Sequence, residues 1–265
     1  MRHVYIITEG VQDATVGGKV LRMLVAGLAP ISRRKEVSNF WDPLIPTSFP
    51  GRNKDEEEVF GRILVPDFFQ NGDISVAIQN SGGLTNLSGI LRSDFDGLPS
   101  IPDAIGIIID ADGKDVVAAY SDLIREIRAI RADFQFGDTP GSISPGPPKL
   151  GVFILPNNQD KGTLEDTMLE CAANSYPQLL PIANTVVSNV NQEFEANIDW
   201  LSRPERDLFR KPFGQNKTRV SVLGAMMKPT YAVQNTFREH KWITTETLAQ
   251  PKMALLASFL RNLIT

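Results

Sequence analysis

The stretch Ile105-Gly-Ile-Ile-Ile-Asp110-Ala-Asp112-Gly-Lys-Asp115 constrains the fold more than any other part of the chain. An unbroken aliphatic run of this kind suits a strand buried on both faces of a parallel sheet, where no polar alternation is expected. Its acids then fall at the strand's C-terminal end, the edge at which open α/β sheets bind ligands. Read as extended chain, Asp110 and Asp112 are two positions apart and face the same side. Two carboxylates held together repel unless a proton or a cation lies between them. A hard divalent ion such as Mg²⁺, with Mn²⁺ as its substitute, is the simplest occupant. A turn followed by a helix N-cap at Asp115 explains the same residues without a ligand. An EF-hand loop does not. A strand rather than a helix precedes it, and the twelfth position from Asp110 is Ser121 instead of Glu.

The same order of strand, acid and helix recurs elsewhere. Residues 3–8 (HVYIIT) read as a buried strand running into Glu9-Gly10-Val-Gln-Asp13, with helical periodicity from Ala14 to Leu28. Asp13 falls in a first helical turn, where the dipole favours acids even without a ligand; Glu9 closes an apolar strand and lacks that explanation. Residues 74–79 (ISVAIQ) form another strand, and Asn80-Ser-Gly-Gly83 turns into a helix near Leu84 to Arg92. The paired glycines suit an ordinary tight turn and also allow a phosphate to approach a helix N-terminus closely. Residues 151–155 (GVFIL) lead through Lys161-Gly162 to Thr163-Leu-Glu165-Asp166. Thr163 and Asp166 make a capping box, which accounts for Asp166 structurally and leaves Glu165 less explained. In a parallel sheet these corners share one edge, and that convergence weighs more than any single motif.

Composition sets the outer bounds. With 42% apolar and 22% charged residues over 265 positions, the chain suits a soluble globular protein of one large α/β domain or one domain with an appendage. A net charge of −4 gives no general basic footprint for nucleic acid. One Cys and two His exclude an intramolecular disulfide, a cysteine zinc cluster and a histidine-rich site. No apolar stretch approaches the ~20 residues of a membrane helix, and no signal peptide is visible, so the expectation is a cytoplasmic protein without a membrane partner.

The remaining segments are less distinctive. Residues 30–72 read as an insertion with short elements, carrying Arg33-Arg34-Lys35, the acidic run Asp55 to Glu58 and Phe60, Phe68 and Phe69. Residues 134–149 are rich in Gly, Pro and Ser and read as a mobile surface loop, either a lid or a tolerated insertion. Beyond Tyr176 the pattern is helical. Arg203 to Arg219 is rich in Lys and Arg, which suits either a phosphate-facing patch or a solvated helix. The expected organisation is an α/β core over 1–175 and a helical extension over 176–265.

The ordered set Val4-Tyr-Ile-Ile-Thr-Glu9-Gly10-x-x-Asp13, Gly82-Gly83 and Asp110-x-Asp112 resembles the Toprim domain of topoisomerases, bacterial primases and overcoming-lysogenization-defect nucleases. The stretch from Phe153 through Pro156-Asn-Asn-Gln159 and Gly162 to Glu165-Asp166 is similar to the Toprim-like bacterial family designated DUF3226, as are Lys217-Thr-Arg and Lys228-Pro229. The resemblance implies a mostly parallel four-stranded sheet with helices on both faces and a helical C-terminal extension. It also implies Mg²⁺ held by Glu9, Asp110 and Asp112, with Asp13 as the second acid of the nuclease branch.

The leading functional expectation is metal-dependent phosphodiester cleavage of DNA or RNA. One or two Mg²⁺ ions, ~3.5–4 Å apart in a two-metal arrangement, would be held by Glu9, Asp13, Asp110, Asp112 and Glu165, with Asp166 beside them. Lys161 or Lys217 would neutralise the transition state, and Lys217 is the cation assigned to the catalytic set. The rival expectation is a noncatalytic metal- or nucleotide-binding module, or a partner subunit of an ATPase or another protein.

Overall fold

The computed structural model describes residues 1–46, 65–196 and 203–265. The acidic run Asp55 to Glu58 and Phe60 lie outside the described residues. Among the described residues, six strands form a single sheet: β1 (Arg2–Thr8), β2 (Ala29–Ile31), β3 (Asp67–Gln70), β4 (Ile74–Asn80), β5 (Ala104–Asp110) and β6 (Lys149–Leu155), in the order β2-β3-β4-β1-β5-β6. β4, β1, β5 and β6 run parallel, with Ile6 opposite both Ile78 and Gly106.

The four expected strands are all present, but the sheet has six, and this corrects the four-stranded expectation. The additional two, β2 and β3, come from the stretch read as an insertion and pair antiparallel, first with each other and then with β4. β2 sits at the sheet's edge, which is where a strand tolerates Pro30 and its missing N–H. β3 sends Phe68 to one face and Phe69 to the other, where both are buried.

Alternation along β1 explains why the sheet is covered on both sides. Val4 and Ile6 join one core, Tyr5 and Ile7 the other, and all four are fully buried. Each such aliphatic burial is worth about 1.5–3 kcal/mol. On the Tyr5 side lie the 3₁₀ segment Asn39–Leu44, α2 (Leu84–Gly97) and α3 (Val116–Ile130). On the Val4 side lie α1 (Val11–Leu24), α4 (Leu164–Ser175) and, from the C-terminal part, α8 (Val233–Glu239) and α9 (Pro251–Ile264). The intervening helices are α5 (Leu179–Ala196), α6 (Arg203–Arg210) and α7 (Pro212–Met227), and α7 packs against α4, α5, α6 and α8. No helix among the described residues is long and apolar enough to cross a membrane.

The 134–149 segment lies along β6, the sheet's other edge. The Gly141 amide donates to the Val152 carbonyl at 2.7 Å, the Ser144 amide donates to the Leu150 carbonyl at 2.9 Å, and the segment's own Phe134 and Phe136 are buried. Those bonds occupy part of the edge strand's exposed main chain. Arg33 and Arg34 form surface ion pairs with Glu36 and Asp42, consistent with a solvated turn.

Candidate functional site

The C-terminal ends of the parallel strands converge on the N-termini of three helices. β1 passes into Glu9 and Gly10, and Gly10 is the extended N-cap of α1. The Gly10 amide donates to Asp13 Oδ2 at 2.8 Å, so the first-turn acid folds back beneath the strand end. β4 turns through Gly82 and Gly83 into α2 with φ of +66° and +130°, a region that glycine enters without steric cost. The Gly83 amide donates to the Glu9 carbonyl at 2.9 Å and fastens this turn to β1.

β5 ends on Asp110. Its amide lies 3.4 Å from Glu9 Oε2, and its own Oδ1 accepts the Leu164 amide at 2.9 Å. Leu164 opens α4, so the Asp110 carboxylate satisfies one of the unpaired amides of that helix's first turn. Thr163 and Asp166 cap the same helix as the capping box requires. The next residue along from Leu164, Glu165, is 6% exposed and turns toward the strand ends.

These elements enclose a pocket of about 310 Å³ lined by Glu9, Asp13, Asp110, Glu165, the Gly82-Gly83 turn and Lys217. Four carboxylates in a partly desolvated corner disturb one another. Burial pushes Asp13 up to about 7, assisted by the charges of Glu165 and Glu9 and opposed by the Gly10 hydrogen bond. Burial likewise raises Asp110 well above the ordinary carboxylate range, with Asp13, Glu165 and Glu9 adding to it. Glu9 is raised by burial too, although the Asp110 amide pulls the other way. Burial alone lowers the Lys217 ammonium, but Glu165, Asp110, Asp112 and Glu9 together carry it above the usual lysine value.

Two acids of the expected set sit differently. The strand stops at Asp110; Ala111 is buried, and Asp112 takes φ +50° with its amide bonded to the Gly162 carbonyl at 2.8 Å. The extended alternation that would place Asp110 and Asp112 on the same side therefore does not continue. Asp112 is exposed at the rim, outside the pocket lining, although its charge still acts on Glu9 and Lys217. Both oxygens of Asp166 are engaged, Oδ2 by the Thr163 amide and Oδ1 by Asn216 Nδ2, each at 2.8 Å. Asp115 caps α3 through the Val117 and Ala118 amides.

Among the described residues, no three His, Cys, Asp or Glu side chains form a ready-made group for a metal ion. Main-chain amides hold one oxygen each of Glu9, Asp13 and Asp110, while Glu165 Oε2 is buried with no hydrogen-bond partner. The all-oxygen donor set and this orphaned carboxylate oxygen fit a hard cation such as Mg²⁺ or Mn²⁺. Gln12, which also lines the pocket and has a buried, unpartnered Oε1, was missed in the sequence. Its place between Glu9 and Asp13 in the first turn of α1 was the available signal. Asn216 offered none, because its partner lies 50 positions away.

A six-stranded open sheet with an acidic pocket at the ends of its parallel strands defines an α/β protein whose pocket lies at the edge where that class binds ligands. Residues 5–260 match the family described as "Protein of unknown function (DUF3226)", and the chain belongs to that family. No functionally curated protein matches the sequence. The fold is similar to that in the crystal structure of hypothetical protein PH0156 from Pyrococcus horikoshii OT3, at 16% identity and a TM-score of 0.51, covering 100% of this chain and 96% of that one. At that identity the likeness concerns the fold alone.

Proposed function

We propose that this protein is a Toprim-type, metal-dependent nuclease that cleaves phosphodiester bonds of DNA or RNA. The observation that carries the reading is the pocket itself. Glu9, Asp13, Asp110, Glu165 and Lys217 come from four widely separated parts of the chain and meet at the sheet's ligand edge. Glu9, Asp13, Asp110 and Glu165 would hold the ion, with Asp112 completing the set from the rim. A bound Mg²⁺ supplies Lewis-acid activation of water and charge neutralisation at the leaving oxygen.

The chain's own groups do the rest. The N-terminus of α2, opened by Gly82 and Gly83, presents main-chain N–H groups to an anionic phosphate. Lys217 provides a fixed positive charge for the extra negative charge of the transition state. Asp110, held at one oxygen by the Leu164 amide, is oriented before substrate arrives. The raised values of Asp13 and Asp110 mean that cation binding displaces protons, so metal uptake strengthens as pH rises.

The test is nicking of supercoiled plasmid with Mg²⁺ or Mn²⁺, with a structured RNA assayed in parallel. Wild type is expected to cut, and Glu9→Gln and Asp110→Asn are expected to lose at least about a hundredfold, the scale of removing an electrostatic catalytic group. Absence of cleavage of either nucleic acid, with Mn²⁺ binding retained, favours the noncatalytic metal-binding or partner module.

A further inference from the structure

The helix that carries Lys217 is tied down by a chain of polar contacts running through Asp166. Asp166 Oδ2 accepts the Thr163 amide at 2.8 Å, and Oδ1 accepts Asn216 Nδ2 at 2.8 Å. Asn216 Oδ1 in turn accepts Arg219 Nη1 at 2.8 Å, and Arg219 Nε donates to Asn184 Oδ1 at 3.1 Å. The series runs from the N-terminus of α4, across the first half of α7, to α5. Every heteroatom of the Asp166 carboxylate and the Asn216 amide oxygen and nitrogen is thereby assigned a partner.

The residue after Asn216 is Lys217, which lines the carboxylate pocket. A lysine side chain on an untethered helix spreads its charge over many rotamers, and fixing it costs entropy. Adjacent helical residues diverge by about 100°, so anchoring Asn216 to one side of α7 sets the direction in which Lys217 leaves it. The anchor on α4 is the same turn that supplies Glu165 and binds Asp110 through Leu164. One capping box therefore sets the height of both the acids and the opposing amine.

We propose that Asp166 and Asn216 are positioning residues, and that their hydrogen bond holds α7 in the register that keeps the Lys217 ammonium over the carboxylate pocket. In this account Asp166 contributes no ligand to the cation. The inference rests on the reading of the pocket as a divalent-cation site.

The experiment measures Mn²⁺ affinity by paramagnetic resonance of the free ion, with melting curves in EDTA to establish that each variant folds. A fixed ammonium opposes a divalent cation, so Lys217→Ala is expected to tighten Mn²⁺ binding on the order of tenfold. Asn216→Ala is expected to tighten it about threefold alone and to add nothing in the Lys217→Ala background, because contacts acting through one another are not additive. Asn216→Asp places a second carboxylate against Asp166 and is expected to mimic Asn216→Ala. Combining it with Asp166→Asn restores a donor–acceptor pair and is expected to return wild-type affinity. Equal effects of Asn216→Ala with and without Lys217, or a folded double swap that does not recover, overturn the inference alone. A wild type that takes up no Mn²⁺ overturns the cation-site reading and this inference with it.

Discussion

The main-chain N–H of Asp110 points at the Glu9 carboxylate, 3.4 Å from Oε2 and 101 positions away in sequence. Parallel pairing of β1 with β5 brings them together, since Thr8 lies opposite Ile108 and both strands end at the same edge. Asp110 then reaches Leu164 and Glu9 receives Gly83 at its carbonyl. Sheet register, instead of any local motif, thus assembles the acidic pocket.

The first prediction concerns pH. Asp13 in the native state is raised to about 7 from an ordinary 3.8, and Asp110 is raised as well. The folded protein therefore binds more protons than the unfolded chain between those values, and stability must fall as pH rises through this window. In EDTA, urea midpoints are expected to decline from pH 5 to pH 8, the Asp13 contribution amounting to a few kcal/mol. Asp13→Asn keeps an acceptor for the Gly10 amide and is expected to flatten the decline. A variant with the wild-type slope would show that Asp13 does not carry it.

Asp115 provides the contrast within the same loop. It accepts the Val117 and Ala118 amides at 3.0 and 3.1 Å and faces solvent. Asp115→Ala is expected to cost about 1 kcal/mol of stability, the usual worth of an N-cap. Its melting-temperature rise with Mn²⁺ should equal that of wild type. Loss of the Mn²⁺ response would give Asp115 a role beyond the cap.

Gly162 holds the rim in place. Its φ is +149°, its carbonyl accepts the Asp112 amide, and a Cβ there would meet Asp166 Oδ2 at 2.7 Å. Gly162→Ala is expected to destabilise the protein by about 1–3 kcal/mol. Because the added methyl presses on Asp166, Mn²⁺ affinity should change as well. Unfolding in urea and a Mn²⁺ titration check both parts, and a variant indistinguishable from wild type in both would refute them.

Local signals in the chain were readable where the physics is local. The aliphatic runs of β1, β5 and β6 announce strands buried on both faces, and Thr163 with Asp166 and Asp115 before Val116 announce helix starts. β2 and β3 were hidden because strands of three and four residues, one containing Pro30, are defined by pairing, β3 with β4 and β2 with β3, more than by their own pattern. The exit of Asp112 from the strand's alternation depends on a left-handed turn held by Gly162 across the sheet edge. Likewise, adjacent Glu165 and Asp166 read alike in sequence, yet one is buried in the pocket and the other is spent on Thr163 and Asn216.

The central claim is that the pocket of Glu9, Asp13, Asp110 and Glu165 binds a divalent cation, and Mn²⁺-dependent melting of wild type beside Asp110→Asn tests it most directly. Asn at this position keeps an oxygen for the Leu164 amide, so the fold is expected to survive while one ligand charge is lost. At a hundredfold excess over Kd, binding to the native state alone adds about 2.7 kcal/mol, a rise of roughly 5–10 °C for a chain of this size. The account predicts that rise for wild type and little or none for Asp110→Asn at the same concentration. Equal rises in the two proteins, or none in wild type, would contradict it.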